Sequence, residues 1–158
     1  MGMYMNYPGL TGDATEQGFQ NWIALDSVHF GSNRTVTARV GSTTGREAAT
    51  PNISDVMVTK RLDAASAGLF RASVSLATGQ TVQIAFTKTG SKGDAYLRYE
   101  LANALISSYS FSTNGDRPVE QVGISCSKFM MTVTATDSGN NTLAPVTTGY
   151  DLAQNTPV

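Results

Sequence analysis

The sequence predicts a mainly β fold, a barrel or a sandwich whose long strands are shared between sheets, with one α-helix at about residues 63–77. Three observations predict it. Apolar residues alternate with period two along most of the chain, the pattern of half-buried strands. Only 15% of the residues are charged, where an average globular chain has roughly 25%, and Thr, Ser, Gly and Val fill the difference. Helical spacing is confined to a single segment. At 158 residues the chain is expected to form one domain, 1–158, with a core of its own.

The elements follow in order. WIALDSVHF places Trp22, Ala24, Val28 and Phe30 on one face, interrupted by Asp26, against Ile23, Leu25, Ser27 and His29. TVTARV sets Val36, Ala38 and Val40 opposite Thr35, Thr37 and Arg39, and SDVMVTK sets Val56 and Val58 against Met57 and Thr59. Between these strands, Gly41 to Asn52 (GSTTGREAATPN) has no periodicity; a connection of this length is often functional. KRLDAASAGLFRASVSLATGQ carries Ala65, Leu69, Ala72 and Leu76 at helical spacing, with Asp63 placed as N-cap and Gly79 as stop. Gly68 inside it weakens a helix by about 1 kcal/mol relative to Ala. In TVQIAF, Val82, Ile84 and Phe86 point away from Gln83 and Ala85; KTGSKGD reads as a hairpin loop into the long strand AYLRYELANALISSYSF. That strand has Leu97, Tyr99 and Leu101 on one face before Asn103, and Leu105, Tyr109 and Phe111 in phase after it. The last main strand runs Val122, Ile124, Cys126 and then shifts phase to Phe129, Met131 and Val133, as a bulge or a bend into a second sheet would produce. A second long connection, TDSGNNTLAPVTTG, leads to the C-terminal YDLAQNT.

Composition narrows the function classes. A net charge of −1 gives no electrostatic case for nucleic acid or for an anionic membrane surface. No apolar run approaches the roughly 18 residues of a membrane span. The one cysteine, Cys126, leaves no intrachain disulfide and alternates with Val122 and Ile124 as a small packing residue. MGMYMNYPGL has neither a basic nor an apolar leader region, so synthesis in the cytoplasm is expected, with any export by a route that reads no N-terminal signal. One His and one Cys cannot complete a zinc site, and the chain has no phosphate-binding or dinucleotide glycine motif and no nucleophile elbow. No catalytic residue, cofactor or metal is expected. Asp116-Arg117-x-x-Glu120, after the turn dipeptide Asn114-Gly115, reads either as a hairpin tip or as a subunit contact. Arg46-Glu47 is likewise either a free loop or an arm reaching a neighbour.

Several of these pieces together resemble the hemolysin-coregulated protein (Hcp) family, the tube protein of the bacterial type VI secretion system. Thr59 to Leu69 is similar to its T-K-x-x-D-x-x-S-x-x-L segment. Ser107-Ser108-Tyr109 followed by Gly115-Asp116-Arg117-Pro118-Val119-Glu120 resembles its S-S-Y strand and G-D-R-P-x-E turn, and Gly149-Tyr150-Asp151-Leu152 its closing segment. Near the start, Gly12-Asp13-Ala14 departs from the Gly-Glu-Ser frequent in the family. The resemblance implies a β-barrel-like domain of two sheets with one helix and a long extended loop. It implies a homo-hexameric ring that stacks on neighbouring rings and is propelled from the cell by sheath proteins under a VgrG spike, with effector proteins in its lumen. By position, the ring-stacking loop is Gly41 to Asn52, with Gly41, Thr44, Arg46, Glu47, Thr50 and Asn52 as candidates. Asp116, Arg117 and Glu120 are candidates for the subunit or hairpin contact, and Ser27, His29 and Asn33 for the lumen. The alternatives are a monomeric β-sandwich binding module or, behind it, a small hydrolase.

Overall fold

In the computed structural model, residues 1–37, 40–41, 48–75, 78–90 and 93–158 are described. Their elements are β1 (Gly2–Asn6), β2 (Ile23–Ala24), β3 (Ser27–His29), β4 (Ser32–Asn33), β5 (Asn52–Ile53), β6 (Val56–Arg61), α1 (Ser66–Val74), β7 (Gln80–Thr87), β8 (Ala95–Ser112), β9 (Val119–Ser125), β10 (Lys128–Val133), β11 (Val146–Asp151) and β12 (Thr156–Pro157). Two antiparallel sheets share one strand. The first runs β12-β11-β10-β8-β7-β1-β2, and the second runs β3-β6-β9-β8, so β8 gives its first half to one and its second half to the other. The end strands β12 and β2 do not pair among the described residues, so the expected barrel is not closed. β4 and β5 form a separate small hairpin, Asn33 opposite Asn52.

The alternation in the sequence supplies the core, with two corrections of phase. Val82, Ile84, Leu101, Val56, Val58, Val122, Ile124 and Phe129 are buried together between the sheets. In β8, Asn103 takes a left-handed backbone (φ 51°), which a short polar side chain tolerates. The twist reverses the face, so Ala104 and Ile106 point inward and Leu105, expected inside, is exposed. A register shift between Ile106 and Ser108 then restores the phase for Tyr109. Opposite that bulge stands Gly123, where a Cβ would lie 2.4 Å from Ser108 Oγ, so the irregular strand needs a glycine partner. In WIALDSVHF the break falls at Asp26: Ile23 and Leu25 are buried before it, and Val28 and Phe30 pack on the core after it. The segment therefore forms two short strands in different sheets, not one.

The helix is shorter than expected. It starts at Ser66 rather than Asp63 and ends at Val74, because Ser75 is already extended; Leu76 and Ala77 lie outside the described residues. Asp63 is therefore not the N-cap, a position taken by Ala65 without a side-chain cap. It holds the turn before the helix, where its Oδ1 accepts the Ala65 N–H at 2.9 Å and Ser66 Oγ accepts the Asp63 N–H at 3.0 Å. Gly68 has a packing reason, since a Cβ there would lie 2.2 Å from Leu10 Cδ2. Ala38 and Arg39 of TVTARV lie outside the described residues, and its described residues contribute one bridge, Val36 to Ala48. The last long strand divides after Ser125 into β9 and β10, one in each sheet.

Candidate functional site

The two most specific sequence segments meet in space. Register places Lys60 of β6 opposite Glu120 of β9, and Glu120 opposite Phe111 of β8. The Lys60 and Glu120 side chains are both 0% exposed, with Nζ to Oε2 at 2.7 Å. Lys60 Nζ also pairs with Asp63 Oδ1 at 2.9 Å and donates to the Arg61 carbonyl at 2.9 Å. Glu120 Oε2 accepts Ser66 Oγ–H at 2.8 Å, while its Oε1 accepts the Tyr109 hydroxyl. One cation thus faces two carboxylates, and the hydroxyls of α1 and β8 complete the shell. No buried side-chain polar atom among the described residues lacks a partner.

The electrostatics follow from that shell. Burial pushes the Glu120 carboxyl up, but the hydrogen bonds from Lys60, Tyr109 and Ser66 outweigh it and hold the group below its ordinary value. The Tyr109 phenol is pushed up to about 12, first by burial and then by its bond to the Glu120 carboxylate. The network joins β6, the turn before α1, α1 itself, β8 and β9. Every ionised group in it is committed to a partner inside the chain.

Arg117 fastens the same region from outside. Its Nε donates to the Leu62 carbonyl at 3.0 Å, and its Nη2 donates to that carbonyl and to Asp13 Oδ2, the latter at 3.1 Å. The Leu62 N–H in turn donates to the Pro118 carbonyl at 3.0 Å. Asp116 sits at the exposed tip, where its Oδ1 accepts the Arg117 N–H at 2.7 Å. Asp116, Arg117 and Glu120 therefore stand at three depths: the tip, a strap across the surface, and the core.

The other candidate residues lie elsewhere. Ser27 and His29 are exposed on β3, the edge of the second sheet, where Ser27 Oγ contacts Thr59 Oγ1. Asn33, Thr50 and Asn52 share a cleft of about 220 Å³ with Arg34, Thr35 and Ala49, so lumen and stacking candidates come together at the base of the long connection. Gly41 is exposed; Thr44, Arg46 and Glu47 lie outside the described residues. Lys60, Ser66 and Tyr109 are not among the candidates expected from the sequence, although Thr59 to Leu69 and Ser107 to Tyr109 contain all three. For Lys60 and Tyr109 the signal is a side chain with a polar end on the inward phase of an apolar strand, as at Lys60 after Val56 and Val58; Ser66 lies on α1, outside that pattern.

A two-sheet antiparallel fold with a shared long strand and one helix is the class of protein these elements define. A family model described as type VI secretion system effector, Hcp, matches residues 4–133, and the chain belongs to the Hcp family, that of the type VI secretion tube protein. The fold is similar to a solved structure described as a type six secretion system protein, with a TM-score of 0.90, 21% identity and 99% of each chain covered. It is also similar to Hcp1 from Salmonella typhimurium, with a TM-score of 0.79, 19% identity, and 99% of this chain and 98% of that one covered. A type VI secretion system effector from Yersinia pestis matches with a TM-score of 0.68, 18% identity, and 94% and 98% coverage. At these identities the likeness establishes the shared fold. A comparison with curated protein sequences finds no match. No helix among the described residues is long and apolar enough to cross a membrane.

Proposed function

We propose that this chain is a structural subunit of the type VI secretion tube and acts without catalysis. Six copies close into a ring, rings stack head to tail, and a contractile sheath propels the tube out of the cell behind a VgrG spike. Effector proteins travel in the lumen. The subunit is assembled in the cytoplasm and leaves through the apparatus it builds. The observation that carries this reading is the family match over residues 4–133 on a fold shared end to end with a type six secretion system protein. The buried Lys60–Glu120 network fits a structural role, because it spends its charged groups on holding elements together and presents none of them to a substrate.

Gly41 to Asn52 is assigned to contacts between rings, and Ser27, His29 and Asn33 to the lumen wall. Electron microscopy and native mass of the purified protein test the reading. Rings of about 100 kDa, six times the 16.7 kDa of one chain, are expected. A monomer at every concentration, with neither rings nor tubes, overturns it. Deleting Arg46 to Thr50 is expected to leave the ring intact and weaken stacking; tubes that form unchanged refute the assignment of the loop.

A further inference from the structure

We propose that the chain carries both halves of a head-to-tail joint: an apolar ridge formed by Phe70, Val74 and Phe111, and an uncovered apolar groove over β10 and β11. The ridge of one copy seats in the groove of the next. This rests on the ring reading and names the surfaces that close the ring.

The groove is a piece of core without its second layer. Cross-strand pairs Phe129–Tyr150, Met131–Thr148 and Val133–Val146 continue the inward face of the first sheet along β10 and β11. Phe30 covers the first pair, stacked on Phe129 at 4.1 Å between centroids, and Phe129 is 4% exposed. Beyond it the row is open among the described residues: Val133 is 40% exposed and Val146 is 67% exposed. Between Phe30, Pro51 and Ile53 on one side and Phe129, Met131 and Tyr150 on the other lies a cavity of about 220 Å³ with no charged residue in its lining. Single exposed apolar side chains are ordinary, but an inward-phase row left open marks an interaction surface.

The ridge is the converse. On the outer face of α1, Phe70 is 52% exposed and Val74, one turn on, is 69% exposed. The Phe70 ring meets the Tyr109 ring edge-on at 5.6 Å, and Phe111, the next side chain on that face of β8, is 54% exposed. This half of β8 pairs with β9 on one side only, so the ridge stands at an open edge of the second sheet. The groove lies toward the β11–β12 end of the first sheet.

The occupant is a second copy because the two surfaces complement each other and lie at separate margins of one chain. A twofold dimer needs one self-complementary patch; a closed ring needs two different patches, one toward each neighbour. The uncharged groove accepts large apolar side chains borne on a convex support, and α1 with the edge of β8 supplies such a support.

Two exposed positions test the joint, Val74→Asp on the ridge and Val146→Asp in the groove, in the full chain, read by native mass and sedimentation. Each variant alone is expected to fall sixfold in mass, from ring to monomer, at concentrations where the wild type is a ring. Mixed in equal amounts, they are expected to give a one-to-one dimer, since the mixture still holds one intact ridge and one intact groove. Rings of unchanged mass from either variant, or a mixture that stays monomeric, overturn the joint and leave the ring reading standing. A wild type that is itself monomeric overturns both. Phe111→Asp and Thr148→Asp repeat the pair if a first variant loses its β-sheet circular dichroism.

Discussion

Replacing Lys60 by Met should harm this protein more than replacing Glu120 by Gln, and the reason lies in the count of buried charges. Lys60→Met leaves the Glu120 and Asp63 carboxylates, both nearly inaccessible, without the cation that lies 2.7 and 2.9 Å from them. Removing one member of a buried pair costs about 3–5 kcal/mol. Glu120→Gln leaves Lys60 paired with Asp63 and keeps the shape of the side chain. It loses the charged part of the bonds from Lys60, Ser66 and Tyr109, and an amide can still bond to each; about 2 kcal/mol is expected. For a chain of this size each kcal/mol moves the melting temperature by about 2–4 °C, so falls of about 10 °C and about 5 °C are expected respectively. The double replacement removes cation and anion together and should be milder than Lys60→Met alone, since Asp63 keeps its bond from the Ala65 N–H. Urea and thermal melts at one fixed protomer concentration measure this, because assembly would add to apparent stability. Lys60→Met milder than Glu120→Gln, or a double variant worse than both, would refute the reasoning. The acid limb adds a sign. The Glu120 carboxyl lies below its ordinary value in the folded chain, so its contribution is complete above about pH 4.3, the unfolded value, and is lost as pH falls through the folded one. The Gln variant should lack that part of the acid dependence.

Two further outcomes follow from the same region and its neighbour. Arg117→Ala removes the strap to the Leu62 carbonyl and Asp13; the Arg117 and Asp13 side chains are each 51% exposed, so the loss should be about 1 kcal/mol, with Arg117→Lys a poor substitute for the fork. Unaltered melting of the Ala variant would count against the strap. The Cys126 thiol is pushed up to about 11 by burial and then by the Asp55 charge, so its thiolate is about 100-fold scarcer at pH 8. After the higher nucleophilicity of a more basic thiolate, it should react with a disulfide reagent at least about 10-fold more slowly than a free thiol. Fast labelling of the folded protein would contradict that placement.

Period-two patterning was enough to read most of the strands and their inward faces, because side chains alternate strictly wherever a strand is regular. It failed where the backbone is irregular. At Asn103 the left-handed residue reverses the face, and the bulge near Ser108 reverses it again, so Leu105 read as interior and is not. Alternation is blind to an even number of such reversals: Tyr109 and Phe111 came out in the expected phase for a reason the spacing did not contain. The helix ended early because its last residues were assigned by apolar spacing, while Ser75 had already turned extended.

The candidate site was legible as segments and illegible as an arrangement. Charged residues are ordinarily counted as surface and valines as core, and both rules reverse here. Lys60 and Glu120 are buried because facing strands put them in register and two hydroxyls and a second carboxylate complete their shell. Val133 and Val146 are exposed although they lie in register on an inward face, and among the described residues the covering layer reaches only Phe30, Pro51 and Ile53. Neither reversal is a property of the residue or of its strand; each depends on what the opposite layer supplies at that point. In a member of a tube-protein family, that layer need not come from the same chain. An inward row that a chain leaves uncovered is then the place to look for its neighbour, and a charge it buries is evidence that the cover there is already complete.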